Sequence, residues 1–171
     1  MITSHIMTET EKEIVASWTY PGVYAIYNMP SYQEQKEKRI ALGDPMCISH
    51  YYSYYDDDTL IGFTNILEEP HEVFLGIGVM PNVCGQGYGQ KILRIAQQIS
   101  KKLYGSKPMY LEVRTWNRRA IECYEKAGFI IDGPAFGQKT MAGEGEFYRM
   151  IFSQEHDMEG IHPPEEQIEG V

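Results

Sequence analysis

The sequence predicts a mixed α/β or α+β domain built on one sheet. Three observations carry this. Short stretches of alternating or continuous apolar residues recur from Met46 onward. Two helical apolar patterns separate the later ones. A glycine-rich turn joins a strand to the first of those helices.

At 171 residues the chain fits one domain, and 43% apolar with 23% charged residues is an ordinary globular balance. Net charge is −9, unevenly placed. The last 18 residues, from Gln154, hold six acids and no Lys or Arg, which leaves 18 acids against 15 bases in the body. Residues 154–171 read as an acidic, solvated tail around Pro163 and Pro164. An acidic chain without a basic stripe argues against nucleic-acid binding. Cys47, Cys84 and Cys123 are odd in number and lack CxxC spacing, which fits a reducing cytoplasm rather than a disulfide framework. No apolar run approaches the ~20 residues of a membrane span. The five histidines show no metal-ligand spacing, so no metal is expected.

Residues 1–43 read as an N-terminal helical part. Thr8 and Thr10 each precede a Glu by three residues, the pattern of a capping box, so a helix is expected through about Trp18. A second, polar helix starts at Ser31 and ends near Gly43. Residues 44–153 form the expected core. Met46 to Tyr55 and Thr59 to Glu69 flank the turn Asp56–Asp57–Asp58 as a hairpin, and His71 to Met80 is a third strand. Ile92, Leu93, Ile95, Ala96, Ile99 and Leu103 then recur at helical spacing, predicting a helix over about Gly87–Tyr104 that Gly105 closes. "PMYLEVRT" alternates as a strand. Asn117 caps a helix that ends at Gly128. "FIIDGPAF" and "GEFYRMIF" read as two last strands.

The junction "GIGVMPNVCGQGYGQKIL", Gly76 to Leu93, carries chemistry. A helix start offers free N–H groups and the positive end of the helix dipole. Gly85, Gly87 and Gly89 let backbone approach a ligand, so the expected ligand is a phosphate or pyrophosphate. A Rossmann fingerprint is excluded, because Gln90 stands where its last glycine belongs. A P-loop is excluded, because Gly89 is followed by Gln90 and Lys91 without the required Gly-Lys-Ser/Thr.

"VMPNVCGQGYGQKIL" resembles the acetyl-coenzyme A loop of the GCN5-related N-acetyltransferases, the GNAT superfamily. Gly87 and Gly89 match the loop's small positions, and Val79 and Pro81 match the strand end before it. Cys84 departs from the Gln or Arg usual there. "LEVRTWNRRAIECYEKAGF" resembles the family's next strand and helix, with Asn117, Ala120, Tyr124, Gly128 and Phe129 on its pattern. The resemblance spans about Asp44 to Phe152, and the first 40 residues lack the usual opening strand.

The resemblance implies a mostly antiparallel sheet, splayed around acetyl-CoA, and direct transfer of acetyl to a primary amine in one ternary complex. It implies cofactor contacts from Ile77, Val79, Cys84, Gly85, Gln86, Gly87, Tyr88, Gly89, Gln90, Asn117 and Tyr124, mostly through backbone. A backbone N–H near Val79 would meet the thioester oxygen. Tyr124 would protonate the departing thiolate. The amine must lose a proton, since a lysine-like ammonium is only about 0.04% neutral at pH 7. Glu72 is the candidate base, with Glu112 as an alternative. A non-catalytic acetyl-CoA-binding module on the same fold is the rival reading. The acceptor, a small molecule or a protein amine, stays open, as does a homodimer.

Overall fold

The computed structural model describes residues 1–153; the predicted acidic tail lies outside the described residues. Eight strands form one sheet in the order β1-β2-β3-β4-β5-β8-β6, with β7 also paired to β8. They are β1 (Ile2–Ile6), β2 (Tyr51–Asp56), β3 (Thr59–Glu68), β4 (Val73–Val79), β5 (Met109–Arg114), β6 (Ile130–Ile131), β7 (Phe136–Thr140) and β8 (Gly143–Phe152). Among the described residues, only β4 and β5 run parallel. The helices are α1 (Glu9–Ala16), α2 (Tyr32–Lys38), α3 (Tyr88–Tyr104) and α4 (Arg118–Lys126).

The helices cover both faces, and the apolar pattern of each strand decides which core it feeds. Val73 and Leu75 of β4 and Met109, Leu111 and Val113 of β5 turn to Leu93 and Ala96 of α3 and to Ile121 of α4. The alternate face of β3 sends Leu60 and Phe63 against Val15 and Ala16 of α1 and Tyr32 of α2.

The first residues differ from expectation. An opening strand exists: β1 pairs antiparallel with β2 from Ile2↔Asp56 to Ile6↔Tyr52. It is an edge strand with four of its five residues exposed, so its own sequence carries little apolar alternation. Of the two capping boxes, Thr8 and Glu11 form theirs. Helix α2 stops five residues earlier than Gly43. Arg39 turns left-handed there, and the buried Gln35 side chain receives the N–H of Leu42 and donates to Pro30. Residues 46–50 are turns rather than strand. At the other end, Gly133 and Pro134 divide the first predicted strand into β6 and β7, so three strands close the domain instead of two.

Candidate active site

Strands β4 and β5 start as neighbours and part company. Their parallel register holds only at Val73↔Met109 and Phe74↔Tyr110. Beyond it β4 stays with β3 as far as Val79↔Gly62, while β5 stays with β8 as far as Arg114↔Phe147. A wedge-shaped cleft of about 730 Å³ opens between the two C-terminal halves.

Alternation along β4 decides what the wedge offers. Val73 donates its N–H to Pro108, on the β5 side, and Met80 donates to Ile61, on the β3 side. The backbone polar groups of Leu75, Ile77 and Val79 therefore point into the cleft, where β5 no longer answers them. Their side chains pack toward α3. Gly76 and Gly78 present no side chain to the opposite face. A Cβ on Gly78 would strike the Phe63 ring at 2.2 Å. Two glycines thus keep that face of the wedge clear beside Phe63.

The loop after β4 ends at the start of α3. Gly85 and Gly87 hold φ of 79° and 83°, a left-handed conformation that glycine takes without strain. Helices α1, α2 and α4 begin under side-chain caps from Thr8, Ser31 and Asn117. Helix α3 begins at Gly87 with no side-chain cap, which leaves its first-turn N–H groups open at the cleft. Gly89 lies in that first turn, and a Cβ there would come within 2.8 Å of Cys123 Sγ. The glycine allows α3 and α4 to close on one another.

Open N–H groups, the helix dipole and the bare edge of β4 together suit an extended thioester that ends in phosphates. Acetyl-CoA has that chemistry, so the residues present fit it. Among the described residues, no group of His, Cys, Asp or Glu is arranged to hold a metal ion, and no helix is long and apolar enough to cross a membrane.

Most of the predicted residues meet at this wedge. Ile77, Val79, Cys84 and the three loop glycines line it, and so do Gln90, Asn117 and Tyr124. Cys84 turns its thiol back toward the carbonyls of Val79 and Met80. Burial raises the thiols of Cys84 and Cys123, so both stay protonated at neutral pH, which disfavours an acyl-cysteine route. Asn117 spends its amide on the N–H of Ala120 and on the Tyr27 hydroxyl. Tyr124 stacks edge-on against Phe129, burial raises its hydroxyl well above the ordinary range, and that hydroxyl has no hydrogen-bond partner among the described residues.

Three predicted side chains lie elsewhere. Gln86 bonds the Asn82 carbonyl, and Tyr88 reaches the hairpin tip to donate to Asp56 at 2.7 Å. Glu72 does not line the wedge. It precedes β4 at its far end, and Arg149 of β8 grips both its carboxylate oxygens. Its carboxylate is thus committed to Arg149. Glu112, the alternative base, does line the wedge, on the face of Gly76 and Gly78. The acids at 68 and 69 are also committed, to Lys107 and Tyr110.

Sequence reasoning missed the residues that the N-terminal segment brings over the wedge. Tyr20 donates to the Val79 carbonyl, and Tyr27 receives Asn117. Tyr24 lies 3.9 Å under the Arg119 guanidinium and packs with Trp116. The stretch Gly22–Tyr27 is a 3₁₀ turn, whose apolar residues show no helical period, so its aromatics carried no readable signal. Arg114 was missed because it falls on the polar phase of the β5 alternation, where a charged residue reads as solvent-facing, yet it is buried.

Comparisons with known proteins agree with this fold. Over 72 residues the chain is 35% identical to an N-alpha-acetyltransferase of Sulfurisphaera tokodaii. That alignment covers 40% of this chain and 43% of the relative, so the chain matches under half of that relative's length. The fold matches spermidine N-acetyltransferase from Vibrio cholerae, solved with CoA and spermine, at a TM-score of 0.74 and 18% identity, over 90% of this chain and 96% of the other. It matches the ribosomal-protein-S18-alanine N-acetyltransferase of Escherichia coli at 0.63 and 19%, over 90% and 94%. It matches the aminoglycoside acetyltransferase AAC(6')-Ib, solved with ribostamycin and coenzyme A, at 0.73 and 17%, over 94% and 98%. At these identities the likeness is one of fold. Residues 12–129 match the model of the Acetyltransferase (GNAT) family, and the chain belongs to that family.

Proposed function

We propose that the protein is an acetyl-CoA-dependent N-acetyltransferase, transferring acetyl to a primary amine by direct attack in a ternary complex. The observation that carries this is the parting of β4 and β5 beside an uncapped α3. Bound there, acetyl-CoA supplies the thioester. The chain supplies three things. The N–H groups of Gly85–Gln90 hold phosphates. The open edge at Ile77 and Val79 holds the extended arm, and the Val79 N–H can donate to an oxygen gaining negative charge. The Tyr124 hydroxyl, raised by burial and kept protonated, gives a proton to the leaving sulfur. Glu112, which lines the wedge, is the candidate to take the amine proton, directly or through water.

The relatives solved with spermine and ribostamycin suggest small amines as acceptors, and the S18-alanine enzyme suggests a protein amine. The test is release of CoA thiol from acetyl-CoA across a panel of amines. Saturable, amine-dependent release supports transfer. Tight acetyl-CoA binding without release for any amine would mean a binding module instead.

A further inference from the structure

Two arginines of the sheet are treated in opposite ways. Arg149 is partly exposed, yet it pairs with two carboxylates, Glu72 and Asp132. Arg114 is only 5% exposed, yet among the described residues it pairs with none. A buried charge without a counter-ion is costly, and proteins normally pair it.

The groups that Arg114 contacts directly are neutral. Its Nη2 donates to Thr140 Oγ1 at 3.2 Å, an oxygen that also takes the N–H of Ala142 and donates to Gly143. The guanidinium lies 4.8 Å from the centre of the Phe147 ring. Gly145 makes room for it, since a Cβ there would come within 2.2 Å of Nη1. Glu112, two residues earlier on the same face of β5, is engaged by Gln138 at 2.6 Å. A guanidinium has five N–H donors in a fork that matches a carboxylate, and one of them is used here. Arg114 also lines the wedge. It lies on the face where Gly76 and Gly78 carry no side chain, away from the uncapped end of α3.

We propose that Arg114 is a subsite for a carboxylate on the acceptor, so that the amine acetylated here is one that also bears a carboxylate. This rests on the acetyltransferase reading. Glu112 and Arg114 are about 7 Å apart along β5, at about 3.3 Å per residue. That spacing suits a molecule whose amine and carboxylate are separated by a few bonds. A free amino acid and an acidic residue at a peptide N-terminus share this chemistry. A polycation such as spermidine opposes it, because it would meet the guanidinium with like charge.

The test compares matched acceptors with the full chain and acetyl-CoA. The pairs are alanine against alaninamide, aspartate against asparagine, and the tripeptide amides Asp-Ala-Ala and Asn-Ala-Ala. The carboxylate member should win in kcat/KM by about 10-fold or more in at least one pair, the scale of a charged hydrogen bond. A preference confined to the tripeptides identifies a peptide acceptor; one confined to the free amino acids identifies a metabolite. Arg114→Met should bring that ratio close to one, leave the Kd for acetyl-CoA unchanged, and keep or raise Tm, because an unpaired buried charge is gone. Arg114→Lys keeps charge without the fork and should retain part of the preference, which serves if the Met variant fails to fold. Equal kcat/KM within every pair overturns the proposal, as does a preference for spermidine. So does an Arg114→Met variant that loses acetyl-CoA affinity instead.

A binding arm separates this failure from failure of the acetyltransferase reading. If no amine releases CoA, aspartate should still raise the Tm of the CoA-loaded protein above asparagine at equal concentration, and Arg114→Met should abolish the difference. Absence of that difference overturns the subsite.

Discussion

Tyr20 donates its hydroxyl to the carbonyl of Val79 at 2.7 Å, across 59 residues of sequence. The bond ties the N-terminal segment to the end of β4, where the cleft is open. Tyr20→Phe removes the bond and keeps the ring. We expect a loss of about 1 kcal/mol, read as a fall in Tm of about 2–4 °C. Acetyl-CoA affinity should fall with it, because the Val79 edge loses a constraint. A Tyr20→Phe variant of parental Tm and affinity would mean that this tie is incidental.

Gly87→Val should leave a folded protein that no longer binds acetyl-CoA. No protein atom lies within 4 Å of the Cβ position at Gly87, so the fold meets strain rather than a clash. That strain, a left-handed φ on a side-chain-bearing residue, costs about 1–2 kcal/mol. Calorimetric titration on the folded variant checks the result, and parental affinity contradicts it.

Gly89→Ala acts differently. Its new methyl meets Cys123 Sγ at 2.8 Å, so α3 and α4 must shift, at a cost of about 1–3 kcal/mol. Cys123→Ala in the same chain should recover much of the loss. The two variants should be coupled by more than about 0.5 kcal/mol in a double-mutant cycle of denaturant unfolding, whereas simple additivity would mean that the helices do not meet there.

Tyr124→Phe separates chemistry from packing. Its ring contact with Phe129 survives the change, so Tm should move little. Turnover should fall by about 100-fold if the hydroxyl protonates the leaving thiolate, while the Kd for acetyl-CoA holds. A poorer leaving thiol should widen the gap. Near-parental turnover at saturating substrates would remove Tyr124 from the chemistry. Glu72→Gln serves as the contrast: its partner is Arg149, so it should lower Tm and spare turnover, and Glu112→Gln should do the reverse.

Glu11 links stability to pH. Burial works against its carboxylate, but the N–H of Thr8, the hydroxyls of Ser53 and Tyr55 and the His5 ring outweigh that and hold its pKa at about 2 against an ordinary 4.5. The folded value is the lower one, so the stabilisation is complete above pH 4.5 and fades as pH falls toward 2. It amounts to about 3 kcal/mol. Glu11→Gln should therefore lose stability at pH 7, and the gap to the parent should close in acid. A gap that stays constant down to pH 2.5 would place the stabilisation elsewhere.

What the sequence determined by itself is the local grammar of the core. Periodicity located α3 and α4, and alternation located β5, because those elements bury one face each and must write that face into their residues; β3, buried on both faces, and β4 were legible instead as apolar runs bounded by turns. Glycines marked the loop before α3 because left-handed backbone leaves few alternatives at Gly85 and Gly87. Tertiary structure decided the rest. β1 is an edge strand whose stability comes from its partner β2, so its own residues are nearly silent. The N-terminal segment over the wedge is tied down by Val79, through Tyr20, and by Asn117, through Tyr27, both far away in sequence. The parting of β4 from β5 is a relation between strands, and no residue states it. Glu72 and Arg114 make the same point: which carboxylate meets which guanidinium is fixed only when β8 closes against β5, and that choice paired Arg149 and left Arg114 facing the cleft.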